Sequence, residues 1–350
     1  MNRMKFLWKT LHQYVAEYHT DTVKFCPNGS MVLCGSYELN SDTQERLGGL
    51  LLFNRTLIGS QYVLSCKISC PGVLDTSWLN GTVAVGALAN GSSNLWDYTT
   101  DNQSMIELVN FQVSNHILLS VDTCFDRCVF SDSGGNISVW RINTSSGSNP
   151  QLTLQWCAHE FEAWCACLNK WNNEIVFTGG DDSKCCIWDL RDGCKKPLNT
   201  IRHSMGVCSV QNYSDVEHFI STGSYDETLY IWDLRMIHSS KDFVSIPLHS
   251  CHFGGGVWRH KWGPHNCVIV SAMHGGFAVA HLPQSSFSCQ DKAVKDSVYK
   301  FCRTNGQLAY GIDWGLFHGI NEKEDFFKST VVSCSFYDNT IEFGELSVHI

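Results

Sequence analysis

The chain has 350 residues, 43 % of them hydrophobic and 17 % charged, enough apolar material for a packed core and too much for disorder. A formal charge of −9, with no Lys/Arg run longer than two residues, argues against nucleic-acid binding, which needs clustered cations to neutralise phosphates. No apolar run reaches the ~18 residues of a membrane span, and the opening MNRMKFLWKTLHQYV lacks the apolar stretch of a signal peptide.

A reducing, cytoplasmic setting is therefore expected, in which most of the 18 cysteines serve as buried small hydrophobes. A secreted disulfide protein is the rival. There is no C-x-x-C and no Cys/His set at zinc spacing, so no metal and no cofactor are expected.

In chain order, Tyr14–Tyr18 reads as a strand set ahead of the first repeat. MVLCGSYELN and LGGLLLF follow as a strand pair. Next come GTVAVGALANGSSNLWDY, carrying Trp96, and VFSDSGGNISVWRI, carrying Trp140. Then two near copies appear, TGGDDSKCCIWDLR (178–191) and TGSYDETLYIWDLR (222–235). His159, Asp182 and Trp188 lie 44 residues before His203, Asp226 and Trp232. A period of ~40–45 residues with a His, a turn Asp and a closing Trp-Asp is the pattern of a WD-repeat blade. SAMHGGFAVAHL (271–282) repeats the strand–turn–strand shape without the Asp, and SCSFYDNTIEFGEL (333–346) repeats it with Gly344 in place of the Trp.

The seven units run over about 20–57, 60–98, 112–143, 155–191, 200–236, 250–283 and 305–347. The predicted fold is all-β, one seven-bladed WD-repeat β-propeller over residues 1–350, closed by the N-terminal strand. A monomer is expected. Asn143–Pro150 and Gln284–Asp296 read as polar surface loops. His159 with Asp182, and His203 with Asp226, read as structural blade pairs.

In such a blade the His loop and the turn Asp open on one face, where the residues before each inner strand ring the channel mouth. Aligning the units puts Glu162-Ala163-Trp164, Gly206-Val207-Cys208, Gly256-Val257-Trp258 and Gly311-Ile312-Asp313 at that mouth. The three glycines of GGGVWR (254–259) either admit a ligand close to the backbone or serve a tight, irregular turn. There is no G-x-S-x-G, H-E-x-x-H, P-loop or G-x-G-x-x-G, so motifs alone leave a binding platform as the default.

Several stretches outside the repeat consensus resemble the WD-repeat family of diphthine methyl ester methylesterases. They are YHTDTVKFCP (18–27), LCGSYEL (33–39), AHEFEAW (158–164), HSMGVCSVQ (203–211), GGGVWRHKW (254–262), LAYGIDW (308–314) and SCSFYDN (333–339). The resemblance implies a carboxylic ester hydrolase that removes the methyl ester from methylated diphthine, the modified histidine of elongation factor 2. Diphthine and methanol would be the products.

Ester hydrolysis needs a base or nucleophile and donors for the oxyanion. The top-face candidates are His274 as base or proton shuttle, Asp313 to orient a histidine or water, and Glu162 as base. Against these stand a surface-turn histidine, a salt bridge from Asp313 to Arg259, and a solvated Glu162. The quaternary ammonium of diphthine suits aromatic faces. Trp164, Trp258, Trp314 and Tyr225 are the candidate cage, with Arg259, Gly255 and Gly256 beside it; Trp258 packed in the core is the alternative. The rival function is a non-catalytic scaffold or substrate receptor of a cullin-type ubiquitin ligase, for which both Trp-Asp-Leu-Arg termini (188–191, 232–235) speak.

Overall fold

A computed structural model describes residues 5–56, 61–143, 149–213, 216–237, 245–282, 297–301, 307–319 and 326–349. Residues 144–148 and 283–296, which hold most of the two expected loops, lie outside it, as do 57–60 and 302–306 at the edges of three sequence units.

The described residues form seven antiparallel four-stranded sheets arranged as a β-propeller. Blade 1 runs from its inner strand His19–Phe25 through Met31–Leu39 and Arg46–Arg55 to its outer strand Tyr62–Pro71. The inner strands of blades 2 to 6 are Val73–Trp78, Leu118–Cys124, Cys165–Leu168, Val207–Asn212 and Arg259–Trp262. Their outer strands are Ser104–Gln112, Gln151–Cys157, Asn199–Arg202, His249–His252 and Ser297–Phe301. Each of these sheets takes its outer strand from the start of the following sequence unit or from the segment between units, so the units of sequence and the sheets are staggered by about one strand.

Blade 7 contains Ala309–His318, Phe326–Ser335 and Thr340–His349, and its outer strand comes from the N-terminus. That strand is Lys5–Val15, longer and earlier than the Tyr14–Tyr18 expected, and it pairs from Lys5 with His349 to Val15 with Thr340. Its apolar side chains do not alternate cleanly, so the sequence pattern hides it. The buried carboxylate of Glu342 holds it instead, accepting from the Trp8 indole (3.2 Å), the Thr10 hydroxyl (2.8 Å) and the Gln13 amide (2.6 Å). Gly344 leaves the space that the Trp8 ring occupies; a Cβ there would lie 2.1 Å from it.

The core is divided among the interfaces between blades. Val129, Trp156 and Ala166 join blades 3 and 4, while Ile269, Phe277, Ile312 and Val331 join blades 6 and 7. Every strand between two neighbours is covered on both faces, which is why the middle strands read as continuous apolar runs rather than alternating ones. Twelve of the sixteen described cysteines are buried in these layers, and all sixteen are free thiols. No helix among the described residues is long and apolar enough to cross a membrane.

Candidate active site

The inner strands of five blades carry a β-bulge near their first residues: Thr20/Thr22, Val73/Asp75, Leu118/Ser120, Val207/Ser209 and Ala309/Gly311. A bulge places an extra residue opposite one partner and re-aims its side chain. The extra residues are Asp21, Leu74, Leu119, Cys208 and Tyr310, and all five line one funnel of about 290 Å³ at the channel mouth. In blades 4 and 6 the equivalent residues, Trp164 and Trp258, stand just before the strand and line the same funnel. Each blade thus contributes one residue to the ring, and Asp21 is its single carboxylate.

One step further along the inner strands, Arg259 of blade 6 meets Asp75 of blade 2 across the channel. Arg259 Nη1 lies 3.2 Å from Asp75 Oδ2, and Nη2 donates to the Leu74 carbonyl at 3.2 Å. Asp75 also accepts from the Thr22 hydroxyl at 3.0 Å and the Val121 amide at 3.2 Å. Burial by itself would raise the Asp75 carboxyl, but Arg259 and Lys24 bring it below its ordinary value, so it is ionised. Burial likewise works against the Arg259 cation, and the Asp75 and Asp21 carboxyls more than compensate.

Asp21 has the opposite balance. It is 4 % exposed, and its Oδ1 has no hydrogen-bond partner among the described residues. Burial pushes its carboxyl up to about 7, against the pull of Arg259 and with a further push from the Asp75 charge. A carboxyl that gains and loses its proton near neutrality, facing a cavity beside a fixed guanidinium, is suited to act as a general base. Cys208, the thiol of the ring, is raised well above its usual range by burial and stays protonated, so it makes a poor nucleophile at neutral pH.

Aromatic rings form one wall. Trp164 stands edge-on to Trp258 with centroids 5.5 Å apart, and its indole donates to Asp181 Oδ1 at 3.0 Å. Trp258 stacks on Tyr310 at 5.1 Å, and Tyr225 contacts both tryptophans at 6.2 and 6.1 Å. Burial raises the Tyr37, Tyr225 and Tyr310 phenols, so all three remain protonated hydrogen-bond donors. Leu74, Ile117 and Leu119 face them from the other side.

The candidates read from the sequence fall in different places. Glu162, Trp164, Tyr225, Trp258 and Arg259 all line the funnel. His274, in contrast, is exposed on the turn between the middle strands of blade 6 and is not among the lining residues. Gly255 and Gly256 are packed rather than open: a Cβ at Gly255 would lie 2.1 Å from the Ala272 carbonyl, and one at Gly256 would lie 2.9 Å from Met273 Sδ. These glycines, with Gly254 at φ +75°, let the loop close onto its own blade's turn.

Asp313 and Trp314 lie deeper than expected. The mouth residue of blade 7 is Tyr310, because its strand begins at Ala309, three residues before the aligned position. Asp313 Oδ2 accepts from the Phe25 amide at 2.8 Å, and burial raises its carboxyl against the charges of Lys261 and Lys24 rather than that of Arg259. Trp314 packs in the core between blades 6 and 7 and donates to the Lys261 carbonyl at 3.0 Å.

Of the blade pairs, His159 Nδ1 donates to Asp182 Oδ1 at 2.9 Å, and its other nitrogen meets Thr178 Oγ1, which also accepts from the Trp188 indole. Burial raises Asp182, yet His159 and Lys184 bring it down to about 2. His203 does not bond Asp226. It meets Thr222 at 3.3 Å, and its Nδ1 has no partner among the described residues, while the Ser204 and Tyr230 hydroxyls donate to the Asp226 carboxylate.

Fold and funnel together define a WD-repeat β-propeller. The model of the WD domain, G-beta repeat, matches residues 149–189 and 195–233. A chain in a crystal structure of the mitotic checkpoint complex superposes with a TM-score of 0.71 over 96 % of this chain and 94 % of that one, and at 12 % identity this shows the fold alone. The protein called diphthine methyltransferase in Mus musculus is 31 % identical over 91 % of this chain and 72 % of its own length. The Homo sapiens protein of that name is 30 % identical over 85 % and 73 %, and a Dictyostelium discoideum homolog is 30 % identical over 93 % and 96 %. The chain belongs to this WD-repeat family.

Proposed function

We propose that the protein acts in diphthamide biosynthesis as an esterase, hydrolysing the methyl ester of methylated diphthine on elongation factor 2 to diphthine and methanol. The observation that carries this reading is Asp21, a buried carboxyl raised to about 7 in the ring of an aromatic-walled funnel beside Arg259, with no hydrogen-bond partner for its Oδ1 among the described residues. The relatives' names supply the substrate class.

In the reaction, Asp21 takes a proton from water as the water oxygen bonds to the ester carbonyl carbon. The charge that develops on the carbonyl oxygen is stabilised by the Arg259 guanidinium, whose position Asp75 fixes. Collapse breaks the acyl–oxygen bond, and methoxide leaves as methanol with the proton from Asp21. The carboxylic acid product ionises. The faces of Trp164, Trp258, Tyr225 and Tyr310 hold the quaternary ammonium, which cannot donate a hydrogen bond. The reading places the protein in the cytoplasm as a monomer.

The name methyltransferase favours a second reading, in which the methyl group itself passes to an acceptor. Incubating the purified protein with elongation factor 2 carrying methylated diphthine distinguishes the two. Loss of one ester methyl with an equal amount of methanol supports hydrolysis; loss of methyl without methanol supports transfer; an unchanged factor sinks both.

A further inference from the structure

A second cavity of about 700 Å³ opens on the same face, over blades 1 and 2. It is built from three segments: Gln44–Leu47, where the blade 1 hairpin enters its third strand, Ser69–Pro71 at the end of the outer strand of blade 1, and the turn Ala89–Asn90 between the middle strands of blade 2. Arg46 and Ile117 line both this cavity and the funnel, so the two adjoin. Leu47, Pro71, Ala89 and Ile117 make its surface largely apolar, and Leu47 is 44 % exposed.

The groove is preorganised. The Gly72 amide donates to the Arg46 carbonyl at 2.7 Å, and the Ala89 amide donates to the Gly72 carbonyl at 2.8 Å, linking all three segments through backbone hydrogen bonds. Gly72 is required for this approach, since a Cβ there would lie 2.6 Å from Tyr37 Cβ and 3.1 Å from the Arg46 carbonyl oxygen. At about 290 Å³ the funnel is on the scale of one large side chain. A modified side chain inserted there leaves its main chain at the mouth, beside the adjoining apolar groove. Exposed Phe161 (58 %), Met205 (51 %) and Tyr337 (59 %), on loops of blades 4, 5 and 7, line neither cavity.

We infer that this groove binds the extended polypeptide segment adjoining the modified residue, so that the protein recognises its substrate as a chain and not only as a side chain. The inference rests on the esterase reading for the identity of the chain. The test measures binding separately from turnover, in an Asp21→Asn background. Leu47→Glu is added, and dissociation constants are measured for intact elongation factor 2 carrying methylated diphthine and for the free methylated diphthine amino acid. The expected result is a loss of about tenfold or more for the intact factor, with the free amino acid bound within about twofold of its original affinity. Equal affinity for the intact factor with and without Leu47→Glu would overturn the inference, as would an equal loss for both ligands. Failure of the parent protein to release methanol, with the selective loss still present, would overturn the esterase reading alone.

Discussion

Replacing Asp21 by Asn separates catalysis from stability. A carboxyl lifted by burial from 3.8 to about 7 is disfavoured as an anion by about 4 kcal/mol, at ~1.4 kcal/mol per tenfold. The folded protein therefore holds this proton up to about pH 7, whereas the unfolded chain releases it near 3.8. Between those values the folded state binds more protons, so its stability falls as pH rises and levels off above about 7. Asn at this position has no such titration. The unfolding free energy of Asp21→Asn minus that of the parent should grow by about 4 kcal/mol from pH 4 to pH 8, measured by urea denaturation at each pH. Over the same range the variant should lose about 10²–10⁴-fold in kcat, the usual contribution of a general base. The parent's kcat/KM should rise to a plateau above its apparent pKa. A stability difference that does not change with pH would show that Asp21 is not buried as an acid, and a variant that keeps its kcat within a few-fold would show that it is not the base.

Arg259→Gln removes the nearer of the two cations of buried Asp75, leaving Lys24 at 3.9 Å, and should lower stability by roughly 3 kcal/mol, read by chemical denaturation, together with loss of turnover. Trp258→Ala removes a ring that stacks on Tyr310 and faces Trp164, and should weaken binding of the quaternary ammonium substrate by about 2 kcal/mol. A neutral tert-butyl analogue should lose much less, as titration calorimetry would show. Glu342→Ala strips three donors of their shared acceptor and should destabilise the closing strand by about 2–3 kcal/mol, seen as earlier proteolysis within Lys5–Val15. Because His274 is exposed on a turn away from the funnel, His274→Ala should leave kcat/KM within about twofold in a steady-state assay.

The propeller is legible in the sequence because the 44-residue repeat fixes both the blades and the face on which their loops open. The same repeat brings Trp164, Trp258 and Tyr225 to one funnel. It misplaces Asp313 because the blade 7 strand begins three residues early, and only the bulge after Ala309 shows which residue turns inward. Asp21 was within reach. Thr20-Asp21-Thr22-Val23 aligns with Val207-Cys208-Ser209-Val210 and Leu118-Leu119-Ser120-Val121, so carrying the mouth position into blade 1 picks it out. What no alignment gives is its burial and the charges that act on it, Arg259 and Asp75, which arrive from two other blades. GGGVWR misleads for a related reason: Gly255 is small because the Ala272 carbonyl of its own blade fills the space, a contact that periodicity does not encode.

Acyl–oxygen cleavage by water activated at Asp21 puts the water oxygen into the carboxylate product. Its most direct test is to convert elongation factor 2 carrying methylated diphthine in 18O-enriched water and weigh the modified peptide and the methanol. One 18O in the new diphthine carboxylate and none in the methanol, with the reaction abolished by Asp21→Asn, is the predicted result. Label in the methanol, or loss of the methyl group with no label in the carboxylate, would contradict it.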